Sequence, residues 1–235
     1  MALCLVKPLR LGFVAAFAVL FLIGIAGARG EPRVKSGTGF YVSLDGYAVT
    51  TSHVLAGCPR NNVSVWGRDH VQRSAKVYDD DPGWDIALLK VDIGVPFLAG
   101  RPRYLPGKVF VLGYGVFPSR PLEPYFTEGT YQGRSRYDDQ LSAPYVLRIR
   151  ARLHPGDSGG AVIGERGGLI GMVRGRYSDE PDIGVILPSA VIEAFLSKSG
   201  LRLAGRPDAP MLPPRDVLDA ISVLVQCSPR QGDRG

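Results

Sequence analysis

An all-β fold, two packed antiparallel barrels with a cleft between them, follows from three features of the 235-residue sequence. Short apolar runs recur between residues 37 and 177, separated by glycine, proline and aspartate, as antiparallel strands joined by tight turns require. No stretch of helical period and useful length interrupts them. A break near 95–107, VPFLAGRPRYLPG, divides the runs into two groups of comparable size. Strand length alone allows a sandwich or barrels; the break suits two barrels, at about 34–95 and about 104–188.

The first segment stands apart from that fold. MALCLVKPLR carries Lys7 and Arg10, sixteen uncharged residues follow, and Ala26-Gly27-Ala28 offers a small-x-small cleavage site. Residues 1–28 therefore read as a secretory signal peptide, since the apolar run is short for a bilayer span of roughly 20 residues. An uncleaved anchor is the alternative. Cleavage leaves residues 29–235 secreted or periplasmic, with no stable membrane span. It also lowers the net charge from +6 to +4. The arginines are scattered, without the dense basic stripe that nucleic acid demands. Cys4 leaves with the leader. Cys58 and Cys227 remain as an even pair in a disulfide-permissive setting, expected to be joined; the alternative is two free thiols, one of them buried.

Along the chain, GFYVSLDGYAVTTSHVL is a hairpin signal, two apolar strands around Asp45-Gly46. Strands follow at NVSVWG, SAKVYD and IALLKV, then at KVFVLGYG, EGTYQGR, YVLRIRA, GAVIG, GLIGMVRG and IGVILP. Beyond Pro188 the period changes. SAVIEAFLSKSG sets Val191, Ile192, Phe195 and Leu196 at helical spacing over 188–199, with Gly200 as a stop. Residues 201–235 read as a Pro-rich linker, an apolar segment DVLDAISVLVQC and a short tail.

Three separated residues supply the parts of a nucleophilic engine. A serine hydroxyl needs a base to take its proton, and the base needs a carboxylate to hold its tautomer. His53 ends an apolar strand, Asp85 begins another 32 residues later, and Ser158 follows after 73 more inside HPGDSGGAV. The amides of Gly156 and Ser158 can point into one small space, where a tetrahedral oxyanion is held. A side chain at residue 156 obstructs that backbone path.

These blocks resemble those of a trypsin-like serine protease of the chymotrypsin fold, in the compact bacterial form of the high-temperature-requirement proteases. GTGFYVSLDGYAVTTSHVL, DIALLKV, HPGDSGGAV, GLIGMV and GVILPS carry the likeness over roughly 37–196. The resemblance implies two six-stranded barrels, the site between them, no metal or organic cofactor, and a protein or peptide substrate. It implies His53 as general base, Asp85 as its orienter, Ser158 as nucleophile, and Gly156 with Ser158 as oxyanion donors. Three departures stand out. Asp157 is present, but no Ile-Val-Gly-Gly terminus exists to pair with it after zymogen cleavage, so it has another partner or faces water. Ser36 and Gly37 occupy the place of the cysteine that trypsins pair with the one following the histidine, so Cys58 looks to Cys227, which pins the C-terminal segment beside the first barrel. The 35 residues after Gly200 are too few for the peptide-binding domain that high-temperature-requirement proteases often append.

For specificity, the resemblance puts Arg152 at the pocket floor and Arg174, Gly175 and Arg176 along its wall. Those arginines either make a cationic pocket that favours an acidic residue before the scissile bond or turn to solvent and leave a small apolar one. His154 and His70 read as loop residues, and Asp79-Asp80-Asp81 as a solvated loop rather than a calcium site. Trp84 covers the three-residue engine or packs between strands. Residues 217–225 dock on the chain's own barrel or serve as a partner-binding helix. The reading is an exported serine endopeptidase; its rival is a catalytically silent or partner-activated module with the same fold.

Overall fold

The computed structural model describes residues 34–93, 107–116, 123–136, 144–203 and 212–228. The proposed leader at 1–28, nearly all of the break at 95–107, most of the Pro-rich linker and the last seven residues lie outside the described residues. Twelve strands among the described residues close into two barrels. The first contains β1 (Lys35–Tyr41), β2 (Tyr47–Thr50), β3 (Val63–Trp66), β4 (Gln72–Asp81) and β5 (Ile86–Val91). The second contains β6 (Lys108–Gly113), β7 (Tyr125–Ser135), β8 (Val146–Arg150), β9 (Ala161–Gly164), β10 (Leu169–Arg176) and β11 (Ile183–Pro188). Among the described residues three helices accompany them: α1 (Ser52–Leu55), α2 (Ser189–Lys198) and α3 (Pro214–Ile221).

The sixth strand of the first barrel comes from the far end of the chain. β12 (Ser222–Cys227) lies between β1 and β3, in the order β1-β12-β3-β4-β5-β2. Thr38 pairs with Leu224 on one side, and Val65 with Val225 on the other. The segment read as a linker and apolar tail therefore closes the barrel, which removes two edges that would otherwise stay unpaired. Its helical half is α3, and its alternating half is the strand.

Three apolar cores explain why several strands read as unbroken hydrophobic runs. In β5, Ala87, Leu89 and Val91 face the interior of the first barrel. Ile86 and Leu88 face the other way, into a core between the barrels. In β9, Val162 belongs to the interior of the second barrel, while Ala161 and Ile163 join the core between them. Successive side chains point to opposite faces, so burial on both faces abolishes the polar alternation of a half-solvated strand. α2 adds Val191, Ile192, Phe195 and Leu196 to this shared core, and α3 adds Val217, Leu218 and Ile221.

Cys58 and Cys227 are joined, with Cα atoms 6.1 Å apart and a sequence separation of 169. The bridge ties the end of β12 to the segment after α1. Replacing Cys58 with Ser should cost about 3–5 kcal/mol, because the lost cross-link closes a very long loop. Urea denaturation of the oxidised parent and the variant measures this, and equal midpoints would contradict it.

Candidate active site

The site assembles where the ends of β2, β5 and β10 and the loop before β9 meet. α1 follows β2 directly and carries His53, whose side chain is half exposed. Asp85 ends the turn between β4 and β5 and is 5 % exposed. Its φ is +53°, the left-handed region that Asp tolerates better than most residues. The turn is fixed locally: the Trp84 amide donates to Asp81 Oδ1 at 3.0 Å, and the Asp85 amide to the Pro82 carbonyl at 3.2 Å. That geometry aims the carboxylate at α1. His53 Nδ1 lies 3.1 Å from Asp85 Oδ1 and 3.0 Å from Oδ2, and the His53 backbone amide donates to Oδ1 at 3.0 Å. A ring whose Nδ1 donates to a buried carboxylate presents Nε2 as the acceptor.

Ser158 approaches from the second barrel. Its carbonyl accepts from the Thr38 amide at 2.8 Å. A Cβ built on Gly37 would come 2.6 Å from Val54, the neighbour of His53, and 3.2 Å from the Ser158 carbonyl. Only a residue without a side chain lets β1 pass between the two. The Ser158 hydroxyl donates to the Arg174 carbonyl at 3.1 Å. Among the described residues the structure brings His53 and Asp85 into contact, while the Ser158 side chain is turned toward β10.

The loop before Ser158 is held from both sides. Thr38 Oγ1 donates to the Gly156 carbonyl at 2.8 Å and accepts from the Tyr114 amide at 3.1 Å. Gly156 has φ +94°, and a Cβ there would collide with the backbone of Gly115 and Val116. Neither the Gly156 nor the Ser158 amide donates a hydrogen bond to another described residue. Asp157 is 1 % exposed, and its partner is within the loop: Oδ2 accepts from the His154 amide at 2.7 Å and lies 3.7 Å from the His154 ring. That ring stacks on Tyr125, with centroids 5.1 Å apart.

Burial pushes the Asp157 carboxyl above its ordinary value, and the His154 amide opposes this in part. The folded chain then binds this proton more tightly than the unfolded chain, so the contribution of Asp157 to stability falls as pH rises from the unfolded carboxylate value through the folded one. In Asp157→Asn that descent should vanish, and the stability of the variant relative to the parent should increase with pH across the window. Urea midpoints on either side of the window measure it. A difference that stays constant with pH would contradict it.

The residues assigned to specificity separate. Arg152 and Arg176 are exposed, and Gly175 is half-buried beside them. Arg174 is part-buried, and its Nε is 3.1 Å from Asp85 Oδ2, an ion pair by distance. The acidic run is engaged within the protein. Asp79 accepts from Ser199 Oγ at 2.7 Å and Asp81 faces Lys198 at 3.5 Å. Trp84 packs against the shared core under Lys198, whose Nζ is 3.8 Å from the ring centroid. His70 is exposed, with φ +57°. Two participants carry no sequence signal: Thr38 looks like any strand threonine, and nothing local marks Arg174 as a partner of a residue 89 positions away.

Residues 37–172 match the trypsin-like peptidase domain. The serine protease Rv3671c of Mycobacterium tuberculosis is 34% identical over 176 residues, which cover 72% of this chain and 43% of that protein. A probable periplasmic serine endoprotease, DegP-like, of Ectopseudomonas mendocina is 29% identical over 151 residues, covering 62% of this chain and 30% of its own length. The chain thus spans less than half the length of these relatives. The HtrA-type protease AlgW solved with a decapeptide superposes with a TM-score of 0.62 at 25% identity, covering 70% of this chain and 51% of that one. With that match spanning more than half of its residues, this chain belongs to the family of trypsin-like peptidase domains.

Proposed function

We propose that the chain is a serine endopeptidase working through an acyl-enzyme. The observation that carries this reading is the His53 ring held by both oxygens of a buried Asp85, to which Ser158 is linked through the two ends of Arg174. Ser158 Oγ leaves the Arg174 carbonyl by rotating about its side-chain bond, giving up one hydrogen bond of about 1 kcal/mol. It attacks the carbonyl carbon of the peptide while His53 Nε2 takes its proton. The amides of Gly156 and Ser158 hold the oxyanion, where their preorganisation strengthens the interaction as charge develops. Asp85 stabilises the imidazolium. His53 then protonates the leaving amine as the C–N bond breaks, and water releases the acyl group by the same route.

A peptide substrate is supported by AlgW having been solved with a decapeptide. Exposure of Arg152 and Arg176, with Leu153 buried between the triad loop and β8, supports a small apolar residue before the scissile bond. Export is supported by the leader-like pattern at 1–28 and by the periplasmic assignment of the DegP-like relative. Among the described residues no helix is long and apolar enough to cross a membrane.

The hydrogen bond from Ser158 to the Arg174 carbonyl favours a second reading, a latent form whose serine turns to His53 only when substrate or a partner binds. Cleavage-site profiling with a peptide library, run with and without added ligand, tests both. Cleavage by the parent alone after small apolar residues is the expected result. Cleavage only with ligand supports the latent form, and no cleavage in either condition would overturn both.

A further inference from the structure

Arg174 touches two members of the triad at once. Its main-chain carbonyl accepts from Ser158 Oγ, and its guanidinium Nε lies 3.1 Å from Asp85 Oδ2. The arginine side chain is 23 % exposed and the aspartate side chain 7 %, so salt screens the pair only weakly. We propose that Arg174 is a positioning residue that sets how strongly Asp85 supports protonated His53, and thereby the pH range in which Ser158 reacts. This rests on the triad reading above.

Three groups share one charge at Asp85. A carboxylate with one negative charge serves the His53 amide, the His53 ring and a fixed cation. In acylation the ring becomes a second cation on the same carboxylate. Arg174 repels it through the carboxylate they share, which is itself buried, so water on the exposed side of the His53 ring weakens the effect without cancelling it. A fixed cation on that carboxylate therefore weakens its support for a second one, which is the effect assigned to Arg174. Holding Asp85 in place needs only a neutral donor, so the permanent charge is the feature to explain.

Other charged groups around the site are spoken for and remain the same when Arg174 changes. Asp80 on β4 lies near Ser52, the neighbour of His53, and near Arg60. Asp81 pairs with Lys198 from α2. Asp157 and His154 sit together in the loop before Ser158.

The test is the pH profile of fluorophosphonate labelling of Ser158 in the full chain, which needs no knowledge of the natural substrate. In Arg174→Gln and Arg174→Met the acid limb should move to higher pH by about one unit, which is roughly tenfold in labelling rate on that limb. Arg174→Lys, which keeps the charge, should restore the parent's limb. Two neutral variants are used so that a folding defect in one leaves the other to report. A limb unmoved in the neutral variants, with labelling lowered equally at all pH values, would mark Arg174 as a structural prop and overturn the proposal. So would an equal shift in Arg174→Lys. A parent that never labels at any pH, with or without added peptide ligand, would instead defeat the triad reading itself and this proposal with it.

Discussion

Ser158→Ala should lower kcat/KM for any peptide that the parent cleaves by about 10⁵–10⁶-fold, while leaving the fold intact. The size follows from what is lost. Without Oγ no acyl-enzyme forms, and His53 and Asp85 are left with no nucleophile to activate. What persists is the oxyanion site and binding, which alone give roughly 10³–10⁴-fold over water. His53→Ala should cost a similar amount, and combining the two should add little, because they act as one unit. Asp85→Asn should fall by about 10⁴-fold through the wrong imidazole tautomer. Near-UV circular dichroism checks folding, and steady-state kinetics on a peptide from the library screen reads the rates. Hydrolysis by Ser158→Ala within tenfold of the parent would end the assignment.

The second large effect concerns stability. Removing residues 214–235 should prevent the chain from reaching its cooperative fold, because β12 completes the first barrel and α3 fills the shared core. Its loss leaves β1 and β3 with unpaired edges and strips Val223, Leu224 and Val225 from two apolar cores. A graded version is Leu224→Ala, expected to cost about 2–5 kcal/mol for a fully packed leucine. Thermal unfolding reads both. A truncated chain that melts cooperatively at the parent's temperature would show that the closing strand is dispensable.

How much of this was legible in the sequence depends on the range over which each signal acts. The strands of both barrels announce themselves locally, since apolar runs bounded by Gly, Pro and Asp need no knowledge of their partners. α2 is equally local, with four apolar residues on one face. The His53, Asp85 and Ser158 blocks are readable because each has a chemical identity that its neighbours support. β12 was harder. DVLDAI has helical spacing and SVLVQC alternates, so the segment changes period midway and reads as one apolar stretch; only barrel closure tells a strand from a tail. The partner of Asp157 is not legible locally, because an aspartate next to a serine looks the same whether it meets solvent or the His154 amide.

Arg174 marks the limit. Position in the chain placed it on a pocket wall, which concerns its backbone, whereas its side chain is long enough to turn back and reach Asp85. Long charged side chains are settled by the nearest uncompensated opposite charge, not by strand register. Thr38 is hidden for a related reason: its four hydrogen bonds, to Ser158, Gly156, Tyr114 and Thr50, all run to residues far away in sequence or on other strands.

The most direct test of the central claim is a crystal structure of the chain after reaction with a peptidyl phosphonate. The account predicts a covalent bond from phosphorus to Ser158 Oγ, His53 Nε2 at about hydrogen-bond distance from the adduct, and the phosphoryl oxygen between the Gly156 and Ser158 amides. An adduct on another residue, or one on Ser158 with His53 turned away and the phosphoryl oxygen in solvent, would contradict it.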